Sequence, residues 1–114
     1  MNESPIPPIV IDDGGDIDVY PTVSAACFDL EAVDVLGGAY QVFDSFGRRL
    51  RAGVYGGVVA LTLDPDATAE PDELERRLRE FIDRVGESRI GFRNSEEATL
   101  PDLLNTLLEF YRGA

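Results

Sequence analysis

The chain has 114 residues, enough for one modest core and too few for two, so a single domain over 1–114 is expected. Apolar residues make up 44% of it, which argues against disorder, and a net charge of -12 would repel a phosphate backbone, so no nucleic acid partner is expected. Histidine is absent, which removes every Ser-His, Cys-His and His-ligated metal arrangement, and the one cysteine cannot form an internal disulfide.

The opening residues Met1 to Ser4 carry no basic group and lead into Pro5, Pro7 and Pro8, so a secretory signal is not expected. No stretch approaches the roughly 18 to 20 apolar residues that span a bilayer, and a cytoplasmic protein, monomeric or weakly dimeric, is the expectation. The first hairpin turns at Asp13-Gly14-Gly15. As a three-residue connection with Gly15 left-handed, it sets Ile11 against Ile17, Ile9 against Val19 and Asp12 against Asp16. Thr22 then caps a short helix reaching about Glu31, with Val23, Ala26, Cys27 and Leu30 on one stripe. On that stripe Cys27 reads as a small buried hydrophobe rather than a nucleophile.

Three further turns predict a meander. Gly37-Gly38 puts Val35 opposite Tyr40 and Val33 opposite Val42. Ser45-Phe46-Gly47, with Gly47 left-handed, puts Val42 opposite Leu50 and Tyr40 opposite Ala52. Gly56-Gly57 sets Val54 against Val59, Ala52 against Leu61 and Leu50 against Leu63. The apolar partners share one face, expected to be buried. The other carries Asp34, Leu36, Ala39, Gln41, Phe43, Arg49, Arg51, Tyr55, Val58, Ala60 and Thr62, a mixed surface expected to be simply exposed, or partly covered by the Pro-rich start and the Glu87 to Ala98 segment, or else a docking face with aromatic and arginine anchors.

A helix is predicted from Pro71 to Val85, stopped by Gly86, with Leu74, Leu78, Phe81, Ile82 and Val85 on its apolar stripe. On its outer side Asp72 with Arg76, Glu73 with Arg77, Glu75 with Arg79 and Glu80 with Arg84 stand four residues apart. After an irregular stretch from Glu87 to Ala98, Thr99 and Asp102 form a capping pair for a last helix bearing Leu100, Leu103, Leu104, Leu107, Leu108 and Tyr111. The expected fold class is α+β: two layers, a mainly antiparallel sheet built as a meander of hairpins, and helices packed on one face.

Chemistry-bearing motifs are scarce. Neither Gly14-Gly15 nor Gly37-Gly38 precedes a Lys with Ser or Thr, so a phosphate loop is not expected. The first 47 residues hold nine carboxylates and no cation, and Asp12, Asp13, Asp16 and Asp18 are the densest group. Three readings stand for that group: a solvated turn, a contact for a partner's Arg or Lys, or a divalent cation. An EF-hand loop counted from Asp12 fails, because Val23 occupies the position of its terminal Glu.

The run Gly15-Asp-Ile-Asp-Val-Tyr-Pro-Thr-Val-Ser-Ala-Ala, continued by Leu30-Glu-Ala-Val-Asp-Val, Tyr40-Gln-Val-Phe-Asp and Phe46-Gly-Arg, resembles small acidic proteins of high-GC actinobacteria. In size and acidity the chain is similar to the immunity proteins of bacterial polymorphic toxin systems. That resemblance implies a partner toxin neutralised by binding. The residues alone lead to a non-enzymatic protein-binding module for a basic partner. Its expected contacts are Asp12, Asp13, Asp16, Asp18, Asp34, Phe43, Phe46, Arg49, Arg51 and Tyr55, with no catalytic residue, cofactor or metal. The alternatives are a small-ligand protein or enzyme using carboxylate and Tyr groups, and a self-assembling structural subunit.

Overall fold

The first hairpin joins β1 (Ile9–Asp13) to β2 (Asp16–Tyr20) through Gly14 and Gly15 alone, both at positive φ, 62° and 104°. This two-residue connection matches the twist of the strands, and it corrects the expected three-residue loop. Asp13 therefore faces Asp16, Asp12 faces Ile17, Ile11 faces Asp18, Val10 faces Val19 and Ile9 faces Tyr20. The expected pairing of Asp12 with Asp16 does not exist. Its premise was a strand wet on one side, whereas Ile9, Val10 and Ile11 are all buried because β1 is covered on both faces.

The computed structural model describes residues 4–30, 40–66 and 68–112. Val33, Asp34, Val35 and the Gly37-Gly38 turn lie outside the described residues. Strand β3 (Gln41–Phe43) is flanked on both sides: Val42 lies across from Ile11 of β1 and from Leu50 of β4 (Arg49–Tyr55). Downstream the register is as expected. Gly47 has φ 77°, and β4 pairs with β5 (Val58–Leu63) through Leu50 with Leu63, Ala52 with Leu61 and Val54 with Val59. The sheet runs β2-β1-β3-β4-β5, antiparallel throughout.

Helix α1 (Val23–Asp29) begins at Thr22, whose hydroxyl accepts the Ala25 N–H at 3.0 Å, and it ends before Glu31. Helix α2 (Pro71–Val85) is followed by the short α3 (Glu87–Ile90), a 3-10 turn at Ser95–Glu97, and α4 (Leu100–Arg112). Thr99 and Asp102 exchange the expected capping bonds: the Thr99 N–H donates to the Asp102 carboxylate at 3.1 Å and the Asp102 N–H to the Thr99 hydroxyl at 3.4 Å. The stretch after α2 is tied down by Glu87, which accepts the Ser95 N–H and hydroxyl, and by Arg79, which donates to the carbonyls of Ser95 and Ala98 at 2.7 and 2.8 Å.

The chain adopts the expected α+β class with an antiparallel sheet. Its two long helices share one face over β2, β1 and β3, where Val10, Ile17, Val19 and Phe43 pack with Leu74, Leu78, Phe81, Ile82, Leu103 and Leu107. Helix α1 takes the opposite face, burying Ala26 and Leu30 with Ile9, Ile11, Val42, Leu50, Val59 and Leu61. Each fully buried side chain of this size contributes about 1.5–3 kcal/mol. The face expected to lie open is thus the one that α2 and α4 cover over β3. No helix among the described residues is long and apolar enough to cross a membrane.

Candidate functional site

The expected contact residues divide into three groups. Asp12 is buried rather than presented: its carboxylate accepts the Gly15 N–H at 2.8 Å and Arg77 Nη1 at 2.6 Å. A carboxylate removed from water requires such partners, so Asp12 is a structural tie between hairpin and helix. Phe43 is also corrected, being fully buried with the guanidiniums of Arg49 and Arg77 over its ring at 5.3 and 5.1 Å from the centroid. The reason is the helix layer above β3, which a reading of hairpin register alone could not locate. Arg49 is committed as well, through its ion pair with Glu70 at 3.1 Å and a bond to Gln41.

A second group stays at the surface. Asp13, Asp16 and Asp18 lie on one side of the first hairpin and are exposed, with Arg84 pairing Asp16 at 3.1 Å and donating to the Gly15 carbonyl at 2.7 Å. Burial raises the Asp18 pKa above its ordinary value, and the charges of Asp29, Asp16 and Asp13 push it the same way. Beside Asp18 is a groove of about 210 Å³, lined also by Tyr20, Pro21, Asp29 and Tyr111. Tyr20 bonds to Asp29, and its pKa is raised by burial first and then by the charge of Asp18. Tyr111 donates to the Ile17 carbonyl, and burial together with Asp18 and Asp16 pushes its pKa up to about 12. Both hydroxyls are therefore protonated at neutral pH. Arg51 and Tyr55 are exposed on β4, Arg51 pairing with Asp64 at 3.3 Å and the Tyr55 ring lying over Gly53. Asp34 falls among the residues outside the description.

Phe46 belongs to the third group and borders an apolar groove. A groove of about 600 Å³ runs between the Ile6-Pro7-Pro8 segment, the β3–β4 loop and the starts of the two long helices. Its walls include Ile6, Phe46, Pro71, Leu100, Pro101 and Leu104, and among the described residues Arg48 is the one ionised group lining it. Phe46 is 54% exposed and Ile6 44%, so both offer apolar surface at the groove. The prolines suit this position because the first turn of a helix has no intrahelical use for its N–H groups.

The groove is held open by a buried carboxylate that the sequence reading missed. Asp44, fully buried, accepts N–H groups from Phe46 and Arg48 at 3.0 Å each, from Ile6 at 3.3 Å, and from Arg48 Nε at 2.8 Å. Arg48 Nη2 approaches it to 2.7 Å. The Ser45 N–H donates to the Ile6 carbonyl at 2.9 Å, so one acidic residue fixes both the loop carrying Phe46 and the segment opposite. An Asp followed by a glycine-containing turn is a recognisable signal for such a loop-closing acceptor.

Seven arginines, Arg48, Arg49, Arg51, Arg76, Arg77, Arg79 and Arg84, hold carboxylates of their own chain. On α2, Glu73 with Arg77 and Glu75 with Arg79 are as expected. Arg76 instead takes Glu73 and Glu80, and Arg84 reaches Asp16 rather than Glu80. Among the described residues no group of Cys, Asp and Glu is placed to hold a metal ion. Compared with known family models, curated proteins and solved structures, the chain has no match.

Proposed function

We propose that this chain is a non-enzymatic protein-binding module for a basic partner and, in the most specific form of the reading, an immunity protein that docks on a toxin domain and neutralises it. The observation that carries it is the apolar groove beside Phe46, set in a chain of net charge -12. Exposed aromatic and aliphatic side chains around such a groove match the anchors that dominate protein interfaces. Because most arginines serve internal ion pairs, the carboxylate excess is left to draw in a cationic partner and accelerate encounter. The immunity assignment rests on resemblance alone, over roughly residues 9–64 and in size and acidity, and a cytoplasmic setting, supported by the lone cysteine, belongs to the same reading.

One observation favours a second reading, a small-ligand protein or enzyme using carboxylates and tyrosines: Asp18 and Asp29 meet Tyr20 and Tyr111 at one groove. With both phenols protonated, that groove would offer hydrogen-bond donors and negative charge rather than a phenolate base.

The test is capture from the source cell with the intact chain as bait, followed by titration of what is recovered. The expected partner has a basic surface, loses about 2 kcal/mol of binding on Phe46→Ala, and associates more slowly as salt rises. Recovery of no protein, or of one indifferent to both Phe46→Ala and salt, refutes the proposal.

A further inference from the structure

The two edges of the sheet are treated differently. At the β2 edge, Tyr111 caps the outward Ile17 carbonyl, Asp16 and Asp18 place charge along the strand, and Pro21 follows it. Those are the devices by which edge strands are kept from pairing with another chain. Strand β5 carries them only past its end, at Asp64 and Pro65: within its span Val58-Val-Ala-Leu-Thr-Leu63 contains no charge and no proline.

The backbone of β5 is also arranged for pairing. The Asp64 N–H donates to the Arg49 carbonyl at 3.1 Å, which makes 64 with 49 a hydrogen-bonded pair of the β4–β5 ladder. Alternation along an antiparallel ladder then points Ala60 and Thr62 toward β4 and turns the N–H and C=O of Val59, Leu61 and Leu63 outward. No strand among the described residues lies on that side.

We propose that β5 pairs antiparallel with β5 of a second copy of this chain, joining two sheets into one. A two-fold axis at Leu61 sets Leu61 across from Leu61 and Val59 across from Leu63, so each copy donates three outward N–H groups and accepts at three carbonyls. The register is in phase with burial: Val59, Leu61 and Leu63 continue the row covered by α1, while Ala60 meets Thr62 on the uncovered side. It also separates charge, because Asp64 of one copy falls across from uncharged Val58 of the other. The same strand is self-complementary, and no basic partner is needed. The inference is independent of the proposed function.

Amide hydrogen exchange of the full chain over a range of concentrations, with sedimentation on the same samples, tests it. Expected is a dimer in which Val59, Leu61 and Leu63 become protected as concentration rises, while Ala60 and Thr62 are protected throughout. Raised salt should strengthen association by screening two acidic copies, opposite to its expected effect on a basic partner. The variant Ala60→Glu with Thr62→Glu puts carboxylates across from one another at the two-fold and should weaken association about tenfold. Its fold should survive, since position 62 lies across from Arg51 within the chain. A chain that stays monomeric, protection of the three amides that does not vary with concentration, or a dimer in which they exchange freely would each overturn the proposal.

Discussion

Replacing Asp44 with Ala should be among the most damaging single changes in this chain. The carboxylate is fully buried and accepts from three backbone N–H groups and from the Arg48 guanidinium. Breaking a buried ion pair by removing one partner costs about 3–5 kcal/mol, since the remaining charge is left uncompensated. Arg48 is only partly buried, and water can reach the loop once it loosens, so about 3 kcal/mol is the expected loss. Asp44→Asn keeps an acceptor oxygen for the Phe46 and Arg48 N–H groups and loses the charge, and should cost about half as much. Urea unfolding followed by circular dichroism measures both. The same variants should blunt the groove, because the loop bearing Phe46 and the Ile6 segment share this one acceptor. A loss under about 1 kcal/mol for Asp44→Ala would refute the assignment of Asp44 as the keystone of that loop.

Phe43→Ala should destabilise by about 3–5 kcal/mol in the same assay, whereas Tyr55→Ala, 71% exposed, should change stability by less than about 0.5 kcal/mol; the reverse order would mean that α2 and α4 do not cover β3. Gly47→Ala should fail to fold normally, because a Cβ there would stand 2.5 Å from the Glu70 carbonyl oxygen and the residue has φ 77°; a normal thermal midpoint would contradict both the turn and the contact. Asp18→Asn should stabilise at neutral pH. A carboxyl whose pKa is raised on folding binds more protons folded than unfolded, so its cost is fully present above the folded pKa and vanishes below the ordinary value of 3.8. The gain over wild type should disappear over that acidic window, and a gain independent of pH would point to packing instead.

What was legible in the sequence was local. Paired or single glycines between apolar runs located the β3–β4 and β4–β5 turns, and the 3.6-residue spacing of Leu74, Leu78, Phe81 and Ile82 located α2, because these signals depend on neighbours only a few residues apart. The errors share one cause. Which element covers which sheet face is decided by contacts over tens of residues, so Phe43 read as a surface anchor, and the pairing of β1 with β3 was not foreseen. The first hairpin misled for the same reason: with both faces buried, Ile9-Val10-Ile11 shows no alternation to set its register. Of the candidate site, Phe46 was legible as an aromatic on a turn. The groove it borders was not, since its walls come from the Ile6 segment, β3–β4 and two helix starts.

The ties between the first hairpin and α2 bear on the order in which the chain can be completed. Asp12 and Asp16 find their counter-ions in Arg77 and Arg84, which lie 65 and 68 residues further along. A ribosome delivers the nine carboxylates of residues 1–47 ahead of Arg48, and the counter-ions of this hairpin, Arg77 and Arg84, come later still. The hairpin can reach its final state only after α2 has left the exit tunnel and docked. Contacts between residues so far apart in sequence form slowly, so the ties that hold the first hairpin to α2 are completed late.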